Sequence, residues 1–427
     1  MKITIHRGAE EIGGNCIELV SGKSRILLDY GAPRYSAQGE QQQTTLNIPG
    51  LYDDKAADPI LAILVSHTHA DHYGALLARP VNPRIKVFMS EIMEDVIRIT
   101  AKMPSEPQKL TADIHYFRKG HKFIVGGFVI TPFLMDHTAA ESFAFLIEAG
   151  RKRVIYTGDY REHGVKAAAF KQLLAAKTGP IDALITEGTQ AGMEKGPTEP
   201  EIMAHIEANL KGRDGPLYVM CAGQDIGLLT SLAHLAKNTR RFLVVDGYVA
   251  LLLERLKHLA EKQGVELKAP SLETEFLRIV RNKATQRIFQ LTEYMETFRR
   301  MRPRMYGWDW INDNLDRLII PVRANAQHWV GEEIKDFSKA TLIYSDWETY
   351  GEEEGMRETL EWFRGRCMAG VPTPSSHHAY FSAIRKLVEN KKPRYIIPIN
   401  TEHQDKFTQT FGKRARVLKN GEEFILD

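Results

Sequence analysis

The chain has 427 residues, 43% of them hydrophobic and 26% charged, with a net charge of only +3. Such a composition suits a globular protein of two or three domains and argues against coating nucleic acid through bulk charge, while leaving room for a local basic groove. Three scattered cysteines, Cys16, Cys221 and Cys367, form no CxxC pair, which excludes a disulfide framework or a zinc ribbon. The opening MKITIHRGAEEIGG lacks a signal-peptide core, and no apolar run is long enough to span a bilayer, so a cytoplasmic protein without a membrane partner is expected.

Lys2–Ile5 and Asn15–Leu19 read as strands joined through Gly13-Gly14, and Ser24–Leu28 as a third strand ending in Asp29-Tyr30-Gly31. Residues 44–53 look like a loop. The apolar run Leu61–Val65 has strand length and stops at Ser66. His67, His69, Asp71 and His72 follow at once. Alternate residues of an extended loop share a face, so His67 and His69 project together, while Asp71 and His72 open a helix and can address a neighbouring position. This spacing suits two adjacent metal sites better than one closed tetrahedral site; the plain alternative is a solvated His-rich loop. Asp29 is either a turn residue or a partner that orients a ligand histidine.

The HxHxDH pattern after an apolar strand resembles the metallo-β-lactamase fold. The elements that follow are a strand Arg84–Met89, a helix Ser90–Lys102 with Ser90 as N-cap, and strands between 115 and 150 around Gly126-Gly127. His137 follows the strand Phe128–Leu134. Alone it would read as a satisfied polar side chain; in this position the resemblance makes it a third nitrogen ligand. Arg153–Thr157 ends at Gly158-Asp159, and the resemblance implies that Asp159 bridges two metals. One site is then His67, His69, His137 and Asp159, the other Asp71, His72 and Asp159. Nitrogen and carboxylate ligands without thiolate suit two Zn²⁺ ions, with Mn²⁺ as second choice.

The strand Ile181–Thr186 runs into Glu187-Gly188-Thr189, after which strands and helices alternate. Helices are expected over Pro197–Leu210, Gly223–Ala236 and Ala250–Gly264, and strands over Pro216–Met220, Phe242–Val245, Leu318–Val322 and Ala340–Ser345. The alternation predicts a parallel α/β layer. Glu273–Arg300 reads as mostly helix. Pro374–Ala379 leads into a helix Tyr380–Glu389 and a buried strand Arg394–Ile399, which ends in Asn400-Thr401-Glu402-His403. Val417–Leu426 reads as a hairpin with an Asn-Gly turn.

An α/β insertion after the bridging aspartate, then a return through SHHA and a strand ending in P-x-x-x-E, resembles the β-CASP nucleases, a group that includes ribonuclease J. The resemblance implies an α/β protein: a metallo-β-lactamase αββα sandwich (1–189 and 373–427) with an inserted α/β β-CASP domain (190–372). It implies a metal-dependent nuclease acting on single-stranded RNA through a di-metal-activated water. In it, Asp71 would bind metal and could take the water's proton, His378 would contact substrate and either stabilise the negative oxygens or protonate the leaving oxygen, and Glu187 would orient His378 or His72. His377 stands where the group has glycine. The sequence departs from the group at Asn400, where a metal-binding histidine is expected. Three accounts stay open there: a weakened second site with Asn400 as a poor metal and substrate ligand, replacement by His403, or an introduced His→Asn exchange. The alternatives are a DNA nuclease, a small-molecule metallo-hydrolase, or an impaired nucleic-acid-binding homologue. A homodimer is the group's common form. Ala222–Asp225 matches a phosphate loop loosely. Tyr294–Trp310 is either a strand-binding groove, with the inserted domain covering the site, or a helix with a solvated basic face.

Overall fold

A computed structural model describes residues 1–34, 43–104, 106–210, 212–264, 268–344, 354–367, 369–372 and 377–427. The chain divides into two compact units. The first comprises residues 1–101, 108–196 and 378–427; the second comprises 102–107 and 197–377. The sequence expectation placed the joins at 190 and 372. Among the described residues no helix is long and apolar enough to cross a membrane.

The first unit is two sheets packed face to face with helices outside. One sheet has the strand order Glu423–Ile425, Lys2–Arg7, Cys16–Ser21, Ser24–Leu28, Ile60–Leu64, Lys86–Met89, Asp113–Tyr116. The other runs Tyr395–Ile399, Ala183–Glu187, Lys152–Tyr156, Ser142–Ala149, Phe128–Met135, Phe123–Val125. Their inner faces share one core, in which Ile5, Leu27 and Leu64 meet Phe128, Phe145, Tyr156 and Ile399. The near-continuous apolar runs Ile60–Leu64 and Ala183–Glu187 follow from this burial on both faces, since helices cover the outer sides. Helix Glu91–Thr100 packs Met93 and Ile97 onto the first sheet's core. Its N-cap Ser90 accepts from Met93 N–H at 3.1 Å, as the sequence pattern predicts. Helices Ala167–Ala175 and Phe381–Lys391 cover the second sheet through Phe170, Leu173, Ile384 and Leu387.

The second unit is a parallel sheet in the order Met305–Tyr306, Leu277–Val280, Phe242–Asp246, Leu318–Val322, Leu217–Met220, Thr341–Tyr344, Ala369–Pro372. The expected parallel α/β layer is present, and two of its helices are capped by aspartates: Asp225 accepts from Leu228 N–H at 3.0 Å and Asp246 from Val249 N–H at 2.9 Å.

Two expectations are corrected. Glu273–Arg300 is not a continuous helix. Leu277, Ile279 and Val280 are buried in a strand beside Phe242–Asp246, and Asn282 then caps a 3-10 segment, Lys283–Gln290. Burial of these apolar residues in a parallel sheet overrides the helical propensity of their polar neighbours. Nor does Val417–Leu426 pair with itself. Only Glu423–Ile425 is extended, and it pairs antiparallel with Lys2–Thr4. Asn420-Gly421 still turns the chain, with Gly421 at φ +84°.

Candidate metal centre

The centre is built at the strand ends of the first unit. Ile60–Leu64 delivers Val65, Ser66 and His67, and Phe143 N–H donates to Ser66 O at 2.9 Å, which anchors the loop to the second sheet. Ala70–Tyr73 then forms one helical turn. The segment after Ser24–Leu28 lies directly on this turn. Asn15 N–H and Tyr30 N–H donate to the carbonyls of Asp71 and His72, both at 2.9 Å. Gly31 makes that approach feasible: a Cβ there would fall 1.7 Å from Asp71 O.

Three overlapping groups of side chains have ligand atoms within 4.8 Å of one another: His67, His69 and His137; His67, His72 and Asp159; and Asp159, Glu187 and His378. His67 and Asp159 join the groups into one set. His69 Nδ1 and His137 Nε2 are 3.1 Å apart, and the His67 and His72 rings lie 4.0 Å apart between centroids. His72 Nε2 is 3.2 Å from Asp159 Oδ2.

The orienting contacts lie one layer out. Asp29 is fully buried, with φ +57°, and its carboxylate accepts from Ser66 N–H at 2.6 Å, Ser66 O–H at 2.7 Å, His72 Nδ1 at 2.7 Å and the Tyr156 hydroxyl. Of the two sequence readings of Asp29, the orienting partner is the one the geometry supports. Because the Ser66 hydroxyl gives its proton to Asp29, its oxygen receives His67 Nδ1–H at 3.0 Å. That tautomer leaves the lone pair of His67 on Nε2, a buried atom with no hydrogen-bond partner. His378 Nδ1 is 2.9 Å from Glu187 Oε2, and Tyr160 N–H donates to Glu187 Oε1 at 2.8 Å.

Electrostatics follow burial and charge. Burial and the neighbouring imidazoles keep His67 well below the ordinary histidine range, and burial lowers His69 to about 4. Burial would also lower His72, but Asp159, Asp29 and Asp71 outweigh it and hold the ring well above that range. Asp71 is buried, which would raise it; the Arg34 guanidinium and the two histidines instead hold it far below the usual carboxylate range. Burial pushes Glu187 up to about 7 despite hydrogen bonds from Tyr160 and Thr189.

The donor set fits a divalent ion: the imidazoles of His67 and His69, which burial keeps neutral, stand beside His137 and the Asp159 carboxylate, with His67 Nε2 left otherwise unsatisfied. Of the residues singled out in the sequence, His67, His69, His72, His137, Asp159, Glu187 and His378 come together. Asp71 is near, at 3.9 Å from His72 Nε2, but its Oδ2 is paired with Arg34 at 3.2 Å. Asn400 reaches the site through its amide nitrogen, which donates to Asp159 Oδ1 at 3.0 Å; its oxygen accepts Gly13 N–H at 2.6 Å. His403 is exposed over Gly192 and belongs to none of the three groups. His377 is buried beside His378 and is likewise outside them. Sequence reasoning missed Arg34, Ser66 and Tyr156. Ser66, which opens the HxHxDH turn, carried a positional signal; the other two carried none. In the second unit, Tyr294, Phe298 and Met301 turn inward while Arg299, Arg300 and Arg302 are exposed, the arrangement of a helix with a solvated basic face.

Comparison with known proteins agrees with this architecture. Residues 25–212 match the β-lactamase superfamily domain. An RNase J-like protein of Methanocaldococcus jannaschii is 29% identical over 198 residues, 44% of this chain and 42% of that protein. Ribonuclease J 2 of Streptococcus pyogenes is 20% identical over 98% of this chain and 74% of its own length. The chain thus spans less than half of the first of these relatives and about three quarters of the second. A crystal structure of a protein of unknown function from Enterococcus faecalis shares the fold, with a TM-score of 0.74 over 100% of this chain and 99% of that one at 18% identity. The fold implies binding of a divalent metal. Sandwich, motif and relatives together support the resemblance to the metallo-β-lactamase superfamily and its β-CASP group.

Proposed function

We propose that the chain is a metal-dependent hydrolase of phosphodiester bonds whose substrate is single-stranded RNA. The observation that carries this reading is the joining of the histidine group to the Glu187–His378 pair through Asp159 in one buried set. Relatives named as ribonucleases point the substrate toward RNA. His67, His69, His137 and Asp159 would hold the ion, and the nitrogen–carboxylate set favours Zn²⁺ with Mn²⁺ next. Such an ion supplies Lewis-acid polarisation of a phosphoryl oxygen and lowers the pKa of an attacking water.

The chain's own groups do the rest. Ser66 holds His67 in one tautomer, so its lone pair points inward without reorganisation, and Asp29 fixes the His72 ring through Nδ1. Glu187 sits on Nδ1 of His378 and fixes the ring, to which we assign the proton transfer to or from substrate. Burial pushes Glu187 up to about 7, so its carboxyl can exchange a proton near neutral pH. The test is cleavage of an end-labelled single-stranded RNA, and of DNA of the same sequence, by chelator-treated protein with Zn²⁺ or Mn²⁺ restored. Cutting of RNA alone is expected. Cutting of DNA with equal rate would move the substrate assignment, and binding without cutting would leave a nucleic-acid-binding homologue.

A further inference from the structure

One oxygen of each carboxylate that a second ion would use is already engaged by a side chain of this chain. Arg34 brings Nε and a terminal nitrogen each to 3.2 Å from Asp71 Oδ2. Asn400 brings Nδ2 to 3.0 Å from Asp159 Oδ1. Every polar group of Asn400 has a partner inside the protein. Its N–H donates to Gly8 O at 2.7 Å, its carbonyl accepts from Thr189 Oγ1 at 3.2 Å, and Oδ1 accepts Gly13 N–H at 2.6 Å. The Gly13 donor settles which way the amide faces: only the oxygen can receive an N–H, so the nitrogen, which has no lone pair for a metal, is the atom turned to Asp159. The backbone at Asn400 is left-handed, φ +51°, a region that asparagine enters more readily than histidine does.

Gly13 serves both replacements. Its N–H holds Asn400, and a Cβ there would lie 2.8 Å from Arg34 Cγ, in the path of that side chain. The Arg34 guanidinium adds a fixed positive charge on Asp71, which opposes entry of a further cation.

We propose that this chain holds one tightly bound divalent ion, on His67, His69, His137 and Asp159, and that Arg34 and Asn400 occupy the carboxylate acceptors that a second would use. Asn400 is then a positioning residue for Asp159. The proposal rests on the metal dependence argued above but not on the substrate. The experiment is metal analysis of the full chain by plasma mass spectrometry after dialysis, with a Co²⁺ titration followed by its visible bands. One equivalent retained is expected, and a second Co²⁺ step weaker by at least about tenfold. In the double variant Arg34→Ala/Asn400→His, two equivalents should be retained. Two equivalents in the unaltered chain, or two equal Co²⁺ steps, would overturn the proposal. If circular dichroism shows that Asn400→His does not fold, Arg34→Ala alone decides, because its Asn400 bridge is intact. It should tighten the second step about tenfold, and an unchanged step refutes the role of Arg34. A one-ion protein that cuts no nucleic acid would sink the hydrolase reading and leave this one standing; a protein retaining no ion sinks both.

Discussion

Replacing Asp29 by asparagine tests the layer that orients the centre. The carboxylate accepts four donors, from Ser66 N–H, Ser66 O–H, His72 and Tyr156, and is 0% exposed. Asparagine is nearly isosteric and tolerates the left-handed backbone at φ +57°, so the change acts through the side chain alone. Its NH₂ group must face at least one of those donors, leaving that donor unpaired and removing the charge from all four. Hydrogen bonds to a buried charge are worth about 1.5–3 kcal/mol each, and breaking a buried charged pair costs about 3–5 kcal/mol. We expect Asp29→Asn to lose about 3–5 kcal/mol, a large share of the ~5–15 kcal/mol of a typical fold. Release of the His72 and Ser66–His67 orientation should weaken metal binding by about 10–100-fold. The assay is urea unfolding of metal-free protein at pH 7 by far-UV circular dichroism, with metal affinity from competition with a chelating dye. All five tryptophans lie between 308 and 362, inside the second unit, so their fluorescence transition is an internal control that should not move. A first-unit transition within about 1 kcal/mol of the unaltered chain, with metal affinity intact, would refute the reasoning.

Three further outcomes are expected. Glu18 accepts His6 Nε2 at 2.9 Å and Arg25 Nε at 2.5 Å; burial would raise its carboxyl, but these bonds outweigh it and hold the folded pKa below the ordinary value. Its contribution, roughly 1.5–3 kcal/mol, is therefore complete above about pH 4.3 and disappears as pH falls through the folded pKa. Urea midpoints of Glu18→Gln should trail the unaltered chain at pH 7 and converge with it as the pH falls below the folded pKa; a constant gap would contradict the assignment. His378→Ala should slow cleavage by about 10²–10⁴-fold with metal content unchanged, and Glu187→Gln should fall between the two in rate; an undiminished His378→Ala rate removes the proton-transfer role. Gly31→Ala places a methyl on the Asp71 carbonyl and should cost about 3 kcal/mol or more, read as a lowered melting temperature, whereas Gly120→Ala, with nothing within 4 Å of its Cβ but φ +73°, should cost clearly less.

The centre's principal residues were legible because each sits where an apolar strand stops. His67 to His72 follow Ile60–Leu64, His137 follows Phe128–Met135, and Glu187 closes Ala183–Glu187. A strand end turns a local hydrophobic pattern into a position in space, so short-range signals sufficed to single out His67, His69, Asp71 and His72 and the alternating strands and helices after residue 190, whereas His137 and Asp159 stood out only through the family resemblance. What required the tertiary structure is what depends on partners far along the chain. Arg34 meets Asp71 across 37 residues, Tyr156 meets Asp29 across 127, and Gly13 meets Asn400 across 387. The terminal strand's choice of Lys2–Thr4 as its neighbour, and the burial that makes Leu277–Val280 a strand, are of the same kind. The sequence by itself marked His67, His69, Asp71 and His72 as candidate metal ligands and placed most strands of the first unit, since periodicity and strand ends are local. Only the tertiary structure decided that Asn400 turns its nitrogen to Asp159 and its oxygen to Gly13, because an amide's orientation is set by the donors and acceptors that folding brings to it.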